Sequence, residues 1–595
     1  MNDRLSKTLF MTNFLVTFLG MLVASLGILV DGIVVNRYYG PDAMASYGAI
    51  MPLMMVAVAV GGILTSGLQS TTGKSMIRGD SDASNGYFSM AVLIGVITAV
   101  LMITVLLGFR TQVLAALRIR QDGHLFVDAR DYLTGSVISY LFIILVSAFQ
   151  PVIMLLGKRL ILFIAVSVML IVNIVGDLAS VFLHFGMFGI GLATTLSYMS
   201  GCLIMVACLM KAGPIFRFRF RHLKGKAGPL VICGMPSGIQ KIANSLRIAV
   251  LNTLLFTIST TAAVSALSLT FNVSNIIGNV VVAGGSTVLM LASIYIGDED
   301  DISLNKTFQI AVKQMLLING AVAIFVFVLA KQIVGIYCRD VDQIPLTVTA
   351  LRWFVTSMPL FGVNIVWIRF LQASGKIVLS TVLNVCDNFI YVVVAALVLC
   401  KPLGTTGVWA SFLACEVMMT ITLFILSFKH AGKVSLQTGN LIMRPRKDNK
   451  EEKEELDVTI TSIEDAVSFS EQVDALGLKM GLSQRNTMLM CLSIEELACY
   501  TITKGFGDGK KHSIDARVVV NNHGWKISLR DDCKPMNPQD QIQMFNAEDK
   551  IDKIGLKIVY DCINDISYSN AMNMNHLMLS LAVDEPGTRK TANGG

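Results

Sequence analysis

One carboxylate, Asp31, stands inside the first long apolar run of the chain, in the stretch from Leu26 to Gly40. A carboxylate at that depth costs about 2.5–3.5 kcal/mol on insertion scales, so an intramembrane acid marks a functional site by default. Such a group can take up and give back a proton, or bind sodium; the plainer alternative is an interfacial acid neutralised by Arg37. Asn173 and Asp177 lie four residues apart in the fifth apolar run, on one helical face. Asp177 either shares a proton or a cation with Asp31, if their helices meet, or is a helix-end acid facing solvent.

Two further polar faces occur later. In the seventh run Ser237, Gln240, Lys241, Asn244, Arg247 and Asn252 fall within an arc of about 140° at 100° per residue. Two intramembrane cations among amides should face protein or water, with a snorkelling Lys241 as the alternative. In the eighth run Ser268, Asn272, Asn275 and Asn279 form one narrow stripe, which either lines a substrate path or bonds helix to helix.

The elements that must position these residues are membrane spans. The 595-residue chain is 54% hydrophobic and 15% charged, and its mean hydropathy of +0.64 excludes an ordinary soluble protein. Twelve runs of the roughly 20 residues a bilayer core demands precede position 430. Sliding the chain against itself by 218 residues aligns Gly67 with Gly285, Gly79-Asp80 with Gly297-Asp298, Leu133 with Leu351, and Gly157-Lys158 with Gly375-Lys376. The membrane part is therefore read as two six-helix repeats, 1–212 and 213–430, a design in which the substrate site lies between rocking halves. Basic loop residues (Lys74, Arg78, Lys158, Arg159, and Lys211 to Lys226) place both termini in the cytoplasm. The net charge of +7 lies mainly in such loops, so no nucleic-acid partner is implied. The eleven cysteines have no zinc or disulfide spacing, and no metal site is expected.

Beyond a charged linker (431–455), a small α+β domain is expected at 456–584. Its elements are a strand at 456–461, helices at 463–476 and 484–503, a hairpin of 516–521 and 525–530 turning at 522–524, a helix at 554–563, and strands at 566–569 and 576–581. Residues 585–595 read as a disordered tail.

Residues 8–430 resemble the multidrug and toxic compound extrusion (MATE) transporters. The resemblance rests on "LVDGIVVNRYYGPDAMASYGAIMP", on "GLQSTTGKSMIRGD", on Asn173-x-x-x-Asp177 followed by "GIGLATT", and on "RFLQASGK" and "LGTTGVWAS". It implies a secondary transporter in the cytoplasmic membrane that exports small organic compounds against entry of protons or sodium. No resident cofactor is expected. The family's ion-coupling residues map to Asp31, Asn173 and Asp177, with Thr195 as a nearby hydroxyl. Gln240, Lys241, Asn244, Arg247, Asn272, Asn275 and Asn279 are the expected substrate-binding residues. Some members carry an acid in span seven where Asn244 stands. The cations Lys241 and Arg247 beside it favour an amphipathic anion over a lipophilic cation. Rival readings are a lipid-linked precursor flippase, or a receptor that signals through its tail.

The tail segments "CLSIEELACYTITKG", "SLRDDCKPMNP" and "DKIGLKIVYDCI" resemble the nucleotide boxes of anti-sigma-factor and histidine-kinase type ATPases. That likeness implies ATP contacts at Glu496, Asp531 and Gly555. Tyr500, Cys533 and Lys553 depart from the pattern, and side chains in place of glycine obstruct close approach of backbone to nucleotide. A degenerate regulatory or protein-binding module, its partner a cytoplasmic protein, is the expected role, with a nucleotide sensor and then a protein kinase as the alternatives.

Overall fold

The computed structural model describes residues 3–116, 124–211, 216–258, 261–337, 343–431, 453–507, 511–521, 524–538, 554–563 and 565–582. Most of the expected linker, the turn residues Asn522 and His523, Lys553 and the expected tail 585–595 lie outside them. The chain divides into two compact units, Phe10–Ser75 with Asp80–Arg444, and Pro445–Gly595 grouped with Met1–Leu9 and Met76–Gly79.

Among the described residues the regular elements of the membrane unit are all helices. Its first half comprises α1 (Asp3–Val34), α2 (Gly40–Ile77), α3 (Ser81–Gly108), α4 (Arg110–Ala116), α5 (His124–Ser136), α6 (Ser139–Leu155), α7 (Arg159–Phe182) and α8 (Gly186–Lys211). The second comprises α9 (Ala227–Ile258), α10 (Thr261–Ile277), α11 (Asn279–Gly297), α12 (Asp301–Tyr337), α13 (Gln343–Ala373), α14 (Ile377–Val385), α15 (Tyr391–Leu403) and α16 (Thr405–Ala431). Among the described residues eleven helices are long and apolar enough to cross a membrane, and the pair α5–α6, bent by 45°, makes up to twelve spans. The bend in span four follows Gly135 and Ser136, and the Gly135 carbonyl there accepts the Thr195 hydroxyl at 2.8 Å. A backbone acceptor beside a helix bend is thus satisfied inside the protein, as lipid requires.

Two spans contain a π-helical turn, Val35–Tyr39 after α1 and Cys386–Ile390 between α14 and α15. Such turns insert an extra residue per hydrogen bond and re-aim side chains, commonly beside functional groups. Asp31 lies one turn before the first of them, and Asp387 within the second.

Glycines set the distance between the halves. A β-carbon at Gly234 of α9 would overlap the carbonyl of Ile63 in α2, and one at Gly67 would overlap that of Leu230. Small residues let backbones approach where no hydrophobic force drives helices together in lipid. Further along the same seam Gln69 donates to Ser286 at 2.6 Å, and Gly297 leaves room for the backbone of Lys74. These contacts run from mid-span to the end at which α1 begins. Gly234→Ala is expected to lower the unfolding midpoint of the purified chain, by an overpacking cost of about 1–3 kcal/mol. A thermal melt in detergent checks this, and an unchanged midpoint would mean the seam opens freely.

The C-terminal unit is built on a five-stranded antiparallel sheet of order β1-β2-β3-β5-β4. Its strands are β1 (Lys453–Ile460), β2 (Ile514–Asn521), β3 (Gly524–Asp531), β4 (Asp565–Ala571) and β5 (Met574–Ala582), with helices α17 (Ile463–Lys479), α18 (Gln484–Gly505) and α19 (Ile554–Cys562). Alternation drives the strands: Ala516, Val518 and Val520 pair with Leu529, Ile527 and Trp525, so one face of each strand is apolar. That face packs with Phe469, Val473, Ile494 and Leu497 of the helices in one core. Ser462 and Asp465 cap α17 reciprocally, fixing where it starts.

Candidate functional site

In the first half, α1 and α7 meet through Gly27. A β-carbon there would lie 3.2 Å from Asn173 Oδ1, and one turn further along α1 the Asp31 carboxylate faces the side chains of Asp177 and Asn173. All three are at least nine-tenths buried, with Asp177 wholly enclosed. Among the described residues no donor reaches either oxygen of Asp177 or Oδ1 of Asp31, and Nδ2 of Asn173 finds no acceptor. Tyr47, Tyr132 and Tyr198 surround the pair within electrostatic reach of Asp31, and the first two rings meet edge-on at 5.2 Å. Arg37 is exposed, and among the described residues no lysine or arginine forms an ion pair with either acid. Two carboxylates thus face each other with no cation paired to them among the described residues, an arrangement suited to one shared proton or one bound cation. Thr195 is not joined to it by any described bond, since its hydroxyl serves the bend of span four.

The second half holds a cluster that the sequence reading did not find. Arg247 donates to Asn244 and lies 5.7 Å and 5.9 Å from the ring centres of Phe271 and Phe412. It is within electrostatic reach of Asp387 and Glu416, both enclosed at 2% and 7% exposure. Asn364 donates to Glu416 Oε2 at 2.8 Å and receives the Thr420 hydroxyl at 3.0 Å. Ligand atoms of Asp387, Cys415 and Glu416 lie within 4.8 Å of one another, close enough to hold one ion. Arg247 is therefore not the bare cation expected from span seven, because acids from spans eleven and twelve offset it. A lone acid in each of those spans was the available signal.

Span eight also departs from a single stripe. Its helix is interrupted at Gly278, and Asn279 begins α11 with its amide given to Ser25 Oγ at 2.8 Å and the Met21 carbonyl at 3.3 Å. Asn279 thus ties one half to the other. Ser268, Asn272 and Asn275 are exposed, as is Lys241; in a membrane such side chains face water rather than acyl chains. Gln240 is half-buried and turned to Arg369.

A family model described as MatE matches residues 17–179 and 236–397, more than half of the chain and both repeats. The chain belongs to the MatE family. It is a multi-pass membrane transporter. Its MatE region is similar to the multidrug export protein MepA of Staphylococcus haemolyticus, 20% identical over 435 residues that cover 71% of this chain and 94% of the relative. An outward-facing multidrug resistance MATE transporter of the MOP superfamily superposes with TM-score 0.66 at 19% identity, covering 70% of this chain and 94% of that one. A MOP superfamily transporter from Pyrococcus furiosus, described as having a binding pocket of reverse polarity, gives 0.65 at 18%, covering 72% and 97%. At such identities the MatE fold is shared, and the charge of the pocket must be read from each chain's own residues.

In the C-terminal unit, Asp531 ends β3 with Oδ1 accepting from Asn575 Nδ2 at 2.8 Å and Cys533 N at 2.9 Å. Burial pushes its carboxyl above the usual range. Burial, and to a lesser extent Glu495, does the same to Glu496, whose carboxylate occupies the place a β-carbon on Gly555 would take. The structure thus brings Glu496 and Gly555 together. Tyr500 and Cys533 are buried, and Cys533 Sγ would be 2.7 Å from a β-carbon on Gly505.

Proposed function

We propose that this MatE transporter is an ion-coupled antiporter that exports small organic compounds across the cytoplasmic membrane. The observation that carries the reading is the Asp31–Asp177 pair, enclosed with Asn173 and without a countercharge. Entry of a proton or sodium ion between the carboxylates relieves their repulsion. Its departure restores that repulsion, and spans one and five respond. Binding at one site biases a two-state arrangement of the halves only through such a difference in contacts. Multidrug export, for which the MepA relative is named, agrees with export of organic compounds. With both termini in the cytoplasm, the seam of close inter-half contacts lies at the inner side and the exposed amides of α10 open outward.

The full chain in proteoliposomes, loaded with ethidium or with 2-naphthalenesulfonate and given an imposed proton or sodium gradient, tests this. Gradient-dependent flux of at least one probe is expected. No flux under either gradient, with ligand-dependent change in the tail instead, would favour a receptor.

The soluble unit is read as a regulatory module that does not turn over ATP. Asp531 spends one oxygen on Asn575 and Cys533, while Tyr500 and Cys533 fill the space where the resembled ATPases bring asparagine and glycine. Calorimetry with ATP and magnesium on the full chain is expected to find no binding tighter than about millimolar. Micromolar binding abolished by Asp531→Ala would overturn that.

A further inference from the structure

The apolar sequence of α13 carries an arginine, Arg369, with no acid within two helical turns. The side chain is 7% exposed. Its guanidinium donates from Nη1 to Ser237 Oγ at 2.7 Å and to Gln372 Oε1 at 2.8 Å, and from Nη2 to Gln240 Oε1 at 2.9 Å. Every acceptor is neutral, and Nε has none. Gly285 of α11 makes the room, since a β-carbon there would press to 3.5 Å from Nε and 3.0 Å from Ile365. Lys241, next to Gln240, is exposed and within electrostatic reach of Arg369. Neither cation forms an ion pair with any described carboxylate.

Two positive charges in a membrane-embedded wall, one of them enclosed, are costly without a countercharge, and the effective penalty is several kcal/mol per buried ion. Arg247 shows the contrast within the same half: its countercharges, Asp387 and Glu416, come from the protein. For Arg369 and Lys241 the countercharge must come from outside. The amides are already aimed for it. Gln372 gives its N–H to the Cys233 carbonyl at 2.8 Å and turns its oxygen to Arg369, while the Gln240 oxygen is held by Arg369 and its N–H remains for a ligand beside the Lys241 ammonium.

We propose that Lys241, Gln240 and Arg369 form an oxyanion-binding site for the headgroup of the exported compound, so that the substrate is an amphipathic anion bearing a carboxylate or sulfonate. The substrate class rests on the exporter reading; the anion site itself does not. Exposed Ser268, Asn272 and Asn275 supply neutral polar contacts to the rest of such a molecule. Relative to the expectation from sequence, the anion-holding pair moves from Lys241 and Arg247 to Lys241 and Arg369.

The test uses the full chain in nanodiscs, titrated calorimetrically with 2-naphthalenesulfonate and with 2-naphthyltrimethylammonium, which share an apolar body and differ in charge. The sulfonate is expected to bind more tightly than the ammonium. Lys241→Gln and Arg369→Gln are each expected to weaken the sulfonate by about tenfold or more, the scale of one charge-assisted hydrogen bond. Arg369→Lys should retain most of the affinity. Since Arg369 also clamps α13 to α9, its glutamine variant counts only if its melting midpoint is kept; Lys241→Gln, at an exposed position, decides otherwise. Equal or tighter binding of the ammonium, or unchanged sulfonate affinity in Lys241→Gln, would overturn the site. Sulfonate binding without gradient-driven flux would defeat the exporter reading and leave the site standing. Gradient-driven flux of the ammonium without sulfonate binding would do the reverse.

Discussion

Asp31→Asn and Asp177→Asn are each expected to reduce gradient-driven export at least tenfold, to the level seen without a gradient, while substrate still binds at equilibrium but its affinity no longer depends on the ion. The size follows from what is removed, since coupling free energies between sites commonly correspond to about 5–150-fold. An amide at either position abolishes the repulsion that one ion relieves, so the halves lose their reason to respond to it. The double variant should be no worse than either single one, because groups that act as a unit are not additive. Asn173, next to both carboxylates and packed on Gly27, should have a smaller effect when changed to alanine, as it carries no charge. Flux under imposed gradients, with substrate binding measured alongside, separates lost coupling from lost binding. Export that still follows the gradient in Asp31→Asn would remove the pair from the mechanism.

Arg247→Met is expected to destabilise the membrane unit by about 3–5 kcal/mol, the cost of leaving enclosed charge uncompensated. Asp387 and Glu416 are the groups left behind, and neither is reached by another cation among the described residues. The double variant Arg247→Met/Asp387→Asn should recover most of the loss, because Glu416 keeps its hydrogen bond from Asn364. Unfolding of the purified chain in detergent, followed for the three proteins together, checks this. A single variant as stable as the parent would mean that Arg247 and the two acids do not offset one another. In the proposed anion site the same cluster is the reason that Arg369, and not Arg247, is assigned the anion, since Asp387 and Glu416 already offset Arg247.

How far the sequence foretold these features depends on whether their partners are local. The spans were legible from run length alone, and the tail's strands from alternation such as Ala516, Val518 and Val520, because one face of each must be buried whatever its neighbours are. Asp31 was legible as an acid in an apolar run, and Asn173 with Asp177 as a helical face; their meeting depends on Gly27, whose role appears only when α1 and α7 are packed. Asp387 and Glu416 gave the same kind of signal as Asp31, yet their meaning lies in Arg247, more than a hundred residues away on α9. Arg369 with Gln372 is an i, i+3 pair that spacing alone could have exposed, whereas Gln240 and Ser237 join it across helices. The resemblance puts Thr195 near the coupling acids, and Asn279 reads either as a lining group or as a helix-to-helix bond; Thr195 serves the Gly135 carbonyl at the bend of span four, and Asn279 bonds to Ser25 and the Met21 carbonyl of α1. Such bonds answer to breaks and packing in neighbouring helices, which hydrophobic periodicity does not record.

The central claim is that the Asp31–Asp177 pair holds one ion which the substrate displaces. The most direct measurement is equilibrium ion binding by the purified full chain, by retention of radioactive sodium and by proton release into a weakly buffered dye solution, with and without 2-naphthalenesulfonate. The account predicts that one of the two ions binds at close to one per chain, is released when substrate is added, and is lost in Asp31→Asn. Ion binding that persists in both Asp31→Asn and Asp177→Asn, or that substrate leaves unchanged, would contradict it.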